Sequence, residues 1–156
     1  MIIRPAVISD AATILGFITD LAIYEKEPNA VHNTVEIIEN TLFIDNAKAH
    51  ALICEHEGEA IGFAVYFFNY STWLGQHGIY LEDLYVSPKK RGVGAGKALM
   101  KHLAKLALEN NCGRFEWSVL NWNQSAIDMY DSIGAKPQSE WTSYRLTGEA
   151  LVNFAK

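Results

Sequence analysis

Tyr80-Leu81-Glu82-Asp83-Leu84-Tyr85-Val86-Ser87-Pro88-Lys89-Lys90-Arg91-Gly92-Val93-Gly94-Ala95-Gly96-Lys97 is the stretch that decides the fold. Ile79–Val86 reads as a strand, and Leu99, Leu103 and Leu106 fall on one face of a helix from about Gly94 to Glu109. Between them lies a glycine-rich turn. Glycines let backbone approach a ligand closely, and the first N–H groups of a helix have no intrahelical partner. With the helix dipole, that makes an anion site. Charge placement agrees. No acid occurs from Leu84 to Leu108, yet six of the 13 basic residues do: Lys89, Lys90, Arg91, Lys97, Lys101 and Lys105. Lys97, Lys101 and Lys105 are four apart and line one exposed stripe. In a chain of net charge -5, this local reversal points to a phosphate-bearing ligand.

Working outward, Arg114–Leu120 reads as the next strand, so the helix is a crossover and its two strands run parallel. Upstream, Ile2–Arg4 reads as a short strand. Ser9 or Asp10 is placed to cap a helix with apolar face Ile14, Leu15, Ile18, Leu21 and Ala22, ended before Pro28. Asn33 or Thr34 caps a second helix to about Phe43, with Asn33 and Glu36 spaced as a capping box. Gly58 separates the strands Ala49–Glu55 and Glu59–Phe68, a hairpin signal. Asn69–Gly78 reads as a loop. Downstream, Gln124–Ile133 reads as a helix capped by Asn123 and stopped by Gly134, Trp141–Leu146 as a last strand, and Thr147 as the cap of a terminal helix. The expectation is one α/β domain with a mixed, twisted central sheet. Its N-terminal part is antiparallel, and a parallel strand pair is flanked by helices.

The 156 residues suit a single core. Hydrophobic residues make up 49% and charged residues 20%, which excludes a disordered chain. The net charge of -5 argues against nucleic acid as partner and mildly favours cationic ligands. Two cysteines outside any CxxC, no signal-like start and no apolar run near ~20 residues point to a cytoplasmic protein without a membrane span.

Two nucleotide loops are excluded by spacing. Gly96-Lys97-Ala98 offers no hydroxyl for magnesium, and position 97 is not the third glycine of a dinucleotide turn. What remains is Arg-x-x-Gly-x-Gly: Arg91, Gly94 and Gly96. It resembles the coenzyme-A pyrophosphate loop of the GNAT acetyltransferase superfamily. Asn123-Gln124-Ser125-Ala126-Ile127-Asp128-Met129-Tyr130, followed by Ile133-Gly134-Ala135, resembles that family's Asn-x-x-Ala-x-x-x-Tyr helix. Within the superfamily, the chain resembles diamine N-acetyltransferases of the spermidine/spermine type from Ile3-Arg4-Pro5-Ala6 to Tyr144-Arg145-Leu146. Leu21-Ala22, Tyr24-Glu25, Trp73 with Gly75, Tyr80-Leu81-Glu82-Asp83 and Trp122-Asn123 carry that likeness.

The resemblance implies a cytoplasmic homodimer that uses acetyl-coenzyme A as co-substrate, needs no metal and has a substrate cleft partly built at the dimer interface. The backbone of Leu84, Tyr85 and Val86 is expected to pair with the pantetheine arm. Arg91, Gly92, Val93, Gly94, Ala95, Gly96 and Lys97 are expected to hold the pyrophosphate. Asn123 and Ala126 line the coenzyme's other side, and Tyr130 faces the sulfur as general acid. Tyr24, Glu25, Trp73 and Glu82 form the amine pocket, with Glu82 aiding deprotonation. Asp83 is set apart from Glu82, because strand neighbours point to opposite faces. Polyamine enzymes carry an acid where this chain has Ser71, and another where it has Thr142. Both losses favour a shorter amine, or a lysine-like one such as thialysine, over spermine, although Glu140 and Trp141 stand near enough to compensate in part. A protein or peptide N-acetyltransferase and a non-catalytic acetyl-coenzyme-A-binding regulator are the alternatives.

Overall fold

Two hairpins set three of the strands in order. In the computed structural model, which describes all 156 residues, β1 (Ile2–Pro5), β2 (His50–His56), β3 (Glu59–Ser71), β4 (Gln76–Val86) and β5 (Arg114–Trp117) form one sheet in that order. The first three pairings are antiparallel and β4–β5 is parallel, as the strand–helix–strand reading requires. Glu57 (φ 54°) and Gly58 (φ 79°) take the two left-handed positions of the β2–β3 turn. By contact density the chain divides into two units, Met1–Ser118 and Val119–Lys156.

In the first unit, α1 (Ala11–Tyr24) and α2 (Val35–Leu42) cover one sheet face. Ala11, Ile14 and Phe17 of α1 and Ile38 of α2 are buried with Ala51, Ile53, Phe63 and Tyr85 of the sheet. Phe17 stacks on Phe63 with ring centroids 5.5 Å apart. Phe17 is absent from the apolar face expected for α1, yet it is buried beside Ala11 and Ile14. Asp10 does not cap α1 with its side chain. It accepts from the Val7 N–H at 2.8 Å and pairs with Arg4 at 2.8 Å, and Arg4 also meets Glu55 at 2.7 Å. The Arg4 hydrogen bond holds the Asp10 carboxyl below its ordinary range. For α2 the cap is Thr34, whose hydroxyl accepts from the Ile37 N–H at 3.1 Å; Asn33 accepts only from the Thr34 N–H. The Asn33–Glu36 capping box is therefore replaced by a cap one residue later.

The other sheet face carries α3 (Ala95–Glu109), which buries Ala95, Leu99, Met100, Leu103 and Ala107. Gly96 brings its first turn onto Leu84 and Val86. These alternate along β4 with Tyr85 of the opposite core, so the two helical layers sandwich the sheet.

Two expectations fail here. The Asn69–Gly78 loop is mostly strand: β3 and β4 pair out to Ser71↔Gln76, leaving a four-residue turn. Cross-strand aromatic contacts, Phe67–Tyr80 and Tyr70–His77, favour extending the ladder. Ser71 closes the turn, accepting the Leu74 N–H on its hydroxyl and the Gly75 N–H on its carbonyl. β5 stops at Trp117 rather than Leu120, because its ladder with β4 ends at Leu81↔Trp117.

The second unit holds α4 (Gln124–Ser132) and α5 (Gly148–Phe154). Gly134 at φ 87° stops α4 as expected, but the Asn123 side chain makes no cap bond, and neither does Thr147 before α5. Trp141–Leu146 is not a strand. Its alternation finds no ladder partner, and without one an extended segment has no regular structure.

Candidate active site

Gly94 is the pivot of the glycine turn. It caps α3 at φ 80°, a left-handed conformation that side chains disfavour, and it has no side chain to satisfy the first-turn N–H groups. At this end of α3 the Ala98 N–H donates to the Gly94 carbonyl at 2.9 Å. Ala95, Gly96 and Lys97 thus present N–H groups at a helix start with Arg91, Lys89 and Lys90 just before it. A Cβ at Gly92 or Gly94 would enter open space, so the concave side of the turn is unfilled. This donor set fits a pyrophosphate.

β4 supplies the second part. Beyond Leu81 it has no β5 partner, so Glu82–Val86 keep one backbone edge unpaired while β3 holds the other. Leu84, Tyr85 and Val86 lie on that edge, as expected, leading to the glycine turn. An extended ligand arm can add there as a strand does.

The ladder is broken at Glu82. Val65 pairs with Asp83 and Tyr66 with Leu81, so Glu82 is the extra residue of a β-bulge. It is exposed, while Asp83 is half-buried on the Phe63, Val65 and Tyr85 face, beneath the end of α1. Asp83 is pushed up to about 6, first by burial and then by the charges of Glu82 and Glu25. Burial also raises Glu25. Asp83 thus feels the charges of Glu25 and Glu82, while it and Glu82 differ in exposure as expected. Strand alternation could not reveal the bulge, because a bulge is fixed by the partner strand.

Tyr24 and Glu25 end α1, and the Arg91 guanidinium lies over the Tyr24 ring at 5.2 Å from its centroid. That cation–π contact joins the glycine turn to the acidic cluster. Trp73 is not brought to this cluster. It sits in the β3–β4 turn, 80% exposed, and the six steps from Gln76 to Glu82 span ~20 Å of strand. Extension of the hairpin carries it away.

In the second unit Asn123, Ala126 and Tyr130 occupy the N-cap, third and seventh positions around α4 and share one half-buried face. The Tyr130 carbonyl accepts from Ala135 N–H at 3.1 Å, tying Gly134-Ala135 back to the helix.

Comparisons with known proteins bear on the family and the fold. The profile described as "Acetyltransferase (GNAT) family" matches residues 16–135. The thialysine N-epsilon-acetyltransferase of Sus scrofa is 39% identical over 99% of this chain and 97% of its own. The human spermidine/spermine N(1)-acetyltransferase-like protein 1 is 33% identical over 98% of this chain, which spans 23% of that protein. Among solved structures, an integron cassette protein from the mobile metagenome of V. cholerae superposes with a TM-score of 0.82 at 28% identity, over 99% of this chain and 97% of its own. The profile match over residues 16–135 and the likeness to the thialysine acetyltransferase along nearly its whole length place the chain in the GNAT acetyltransferase family.

Proposed function

We propose that this enzyme transfers the acetyl group of acetyl-coenzyme A to a primary amine of a small cationic substrate: a diamine, a polyamine or a lysine-like amino acid such as thialysine. The observation that carries the reading is the Arg91–Tyr24 contact, which sets an anion-binding helix start beside Glu25, Glu82 and Asp83. A thioester supplies the acyl group; the chain's residues position and deprotonate the amine. The full-length likeness to a thialysine acetyltransferase supports the substrate class.

Arg91–Lys97 hold the pyrophosphate, and the β4 edge at Leu84–Val86 holds the pantetheine arm. Asn123 and Ala126 line the coenzyme, and we read both units as one catalytic domain because the family match runs across their boundary. An alkylammonium has a pKa near ~10.4 and attacks only after losing a proton. Glu82, directly or through water, accepts it, while Glu25 and Asp83 hold the cation. Backbone N–H groups at Leu84 and Tyr85 stabilise the tetrahedral oxyanion. Tyr130 protonates the departing thiolate. The family resemblance adds a homodimer, in which Trp73, remote from Glu82 along its own chain, serves the pocket of a second copy.

Thiol release from acetyl-coenzyme A with single amines tests this. Turnover with thialysine or a short diamine is expected. Turnover with peptides alone moves the substrate class to proteins, and binding without any turnover makes the chain a regulator.

A further inference from the structure

The sheet face that carries Asp83 continues away from α1 with groups the reaction does not use. Alternation along β3 puts Phe63, Val65, Phe67 and Asn69 on that face, and the register sets Tyr85, Asp83, Tyr80 and Gly78 opposite them. Glu116 of β5 lies beside Tyr80. The Phe67 and Tyr80 rings are 5.2 Å apart at 32°, an aromatic floor next to Asp83. At its far side the Tyr80 and Ser118 hydroxyls share a hydrogen bond of 2.8 Å, and Asn69 Nδ2 donates to Glu116 Oε1 at 3.4 Å.

That last contact depends on a glycine. Asn69 faces Gly78 across the ladder, and its side chain passes over the bare α-carbon to reach β5. A Cβ at Gly78 would stand 2.5 Å from Asn69 Oδ1. Glu116 is half-buried, and the salt bridges engage Asp10, Glu55 and Glu59 instead. A carboxylate is thus held in place on an open aromatic face without a cationic partner.

Its distance from Asp83 is set by the sheet. Val65 to Phe67 is two residues along, and β4 to β5 is one strand across, which gives ~8 Å between α-carbons. Carboxylates at both ends and rings between them suit an alkyl chain with an ammonium at each end.

We propose that Glu116, oriented by Asn69, receives the second, non-reacting ammonium of the substrate. The preferred amine is then a short diamine rather than an α-amino acid, whose carboxylate would face Glu116. This rests on the small-amine reading and narrows it.

The test compares putrescine, butylamine and thialysine with wild type, Glu116→Gln and Asn69→Ala. Two readouts are taken: kcat/KM, and calorimetric affinity in the presence of coenzyme A. For wild type, putrescine is expected to exceed butylamine at least ~tenfold, the scale of a charged hydrogen bond, and to exceed thialysine. Glu116→Gln is expected to abolish the margin over butylamine. Asn69→Ala is expected to reduce that margin. A margin that survives Glu116→Gln, or equal losses for both amines, overturns the proposal. If no amine is turned over, the acetyl-transfer reading falls; a calorimetric margin that depends on Glu116 then still upholds the ammonium site, and its absence overturns it.

Discussion

Asp83 is the residue whose environment departs furthest from its sequence context. Its folded pKa of about 6 lies above the ordinary 3.8, so the fold favours the protonated acid. Stability from this group is full below about pH 4 and is lost as pH rises through about 6. Asp83→Asn mimics the protonated form. Thermal melts are expected to coincide with wild type near pH 4 and to rise a few degrees above it beyond pH ~7. A variant that melts lower at pH 8 contradicts the burial argument. Motif likeness alone singles out Tyr24, Glu25 and Glu82. The ladder break at Glu82 is invisible to alternation, because the partner strand fixes it. At the reacting groups, Tyr130→Phe is expected to lower kcat ~10²-fold while coenzyme affinity holds, since the ring still packs. A normal kcat makes Tyr130 structural. Glu82→Gln is expected to lose most rate below the amine pKa and recover as pH rises, because solvent then removes the proton; a deficit flat in pH makes Glu82 a positioning group.

At the scale of elements, the glycine turn and α3 were the most legible parts. Their signal is local: glycine at φ 80°, a basic run and an apolar stripe. Gly94→Glu places a side chain at a left-handed position and a like charge before the phosphates. Calorimetry is expected to show acetyl-coenzyme A affinity falling tenfold or more, and unchanged affinity in a folded variant contradicts the loop assignment. The cap of α2 offers a structural control: Thr34→Ala is expected to cost about 1 kcal/mol in denaturant melts without touching turnover. Elements whose existence depends on partners were misread. The β3–β4 hairpin runs to Ser71↔Gln76 because the two strands support each other through aromatic pairs, which a loop-like composition conceals. Residues 141–146 alternate like a strand but find no ladder. Ser71, read as the loss of an acid from the amine channel, is a buried turn residue whose hydroxyl closes the hairpin, so the missing charge has a structural replacement there.

For the whole molecule, charge is unevenly spread. The chain is acidic, yet six of its 13 basic residues lie just before and along α3, while Glu25 and Glu82 act on Asp83 and Glu116 stands on β5 beside Tyr80. On the proposed function, an anionic co-substrate and a cationic acceptor are drawn to different elements of one fold. No helix is long and apolar enough to cross a membrane. The position of each acid on the sheet required the register. The most direct measurement is one competition reaction. Equimolar thialysine, putrescine, spermidine, spermine and a lysine peptide share limiting acetyl-coenzyme A, and mass spectrometry counts each acetylated product, so product ratios equal ratios of kcat/KM. The account predicts that short amines dominate, with spermine and the peptide far behind. Spermine or the peptide in first place contradicts it.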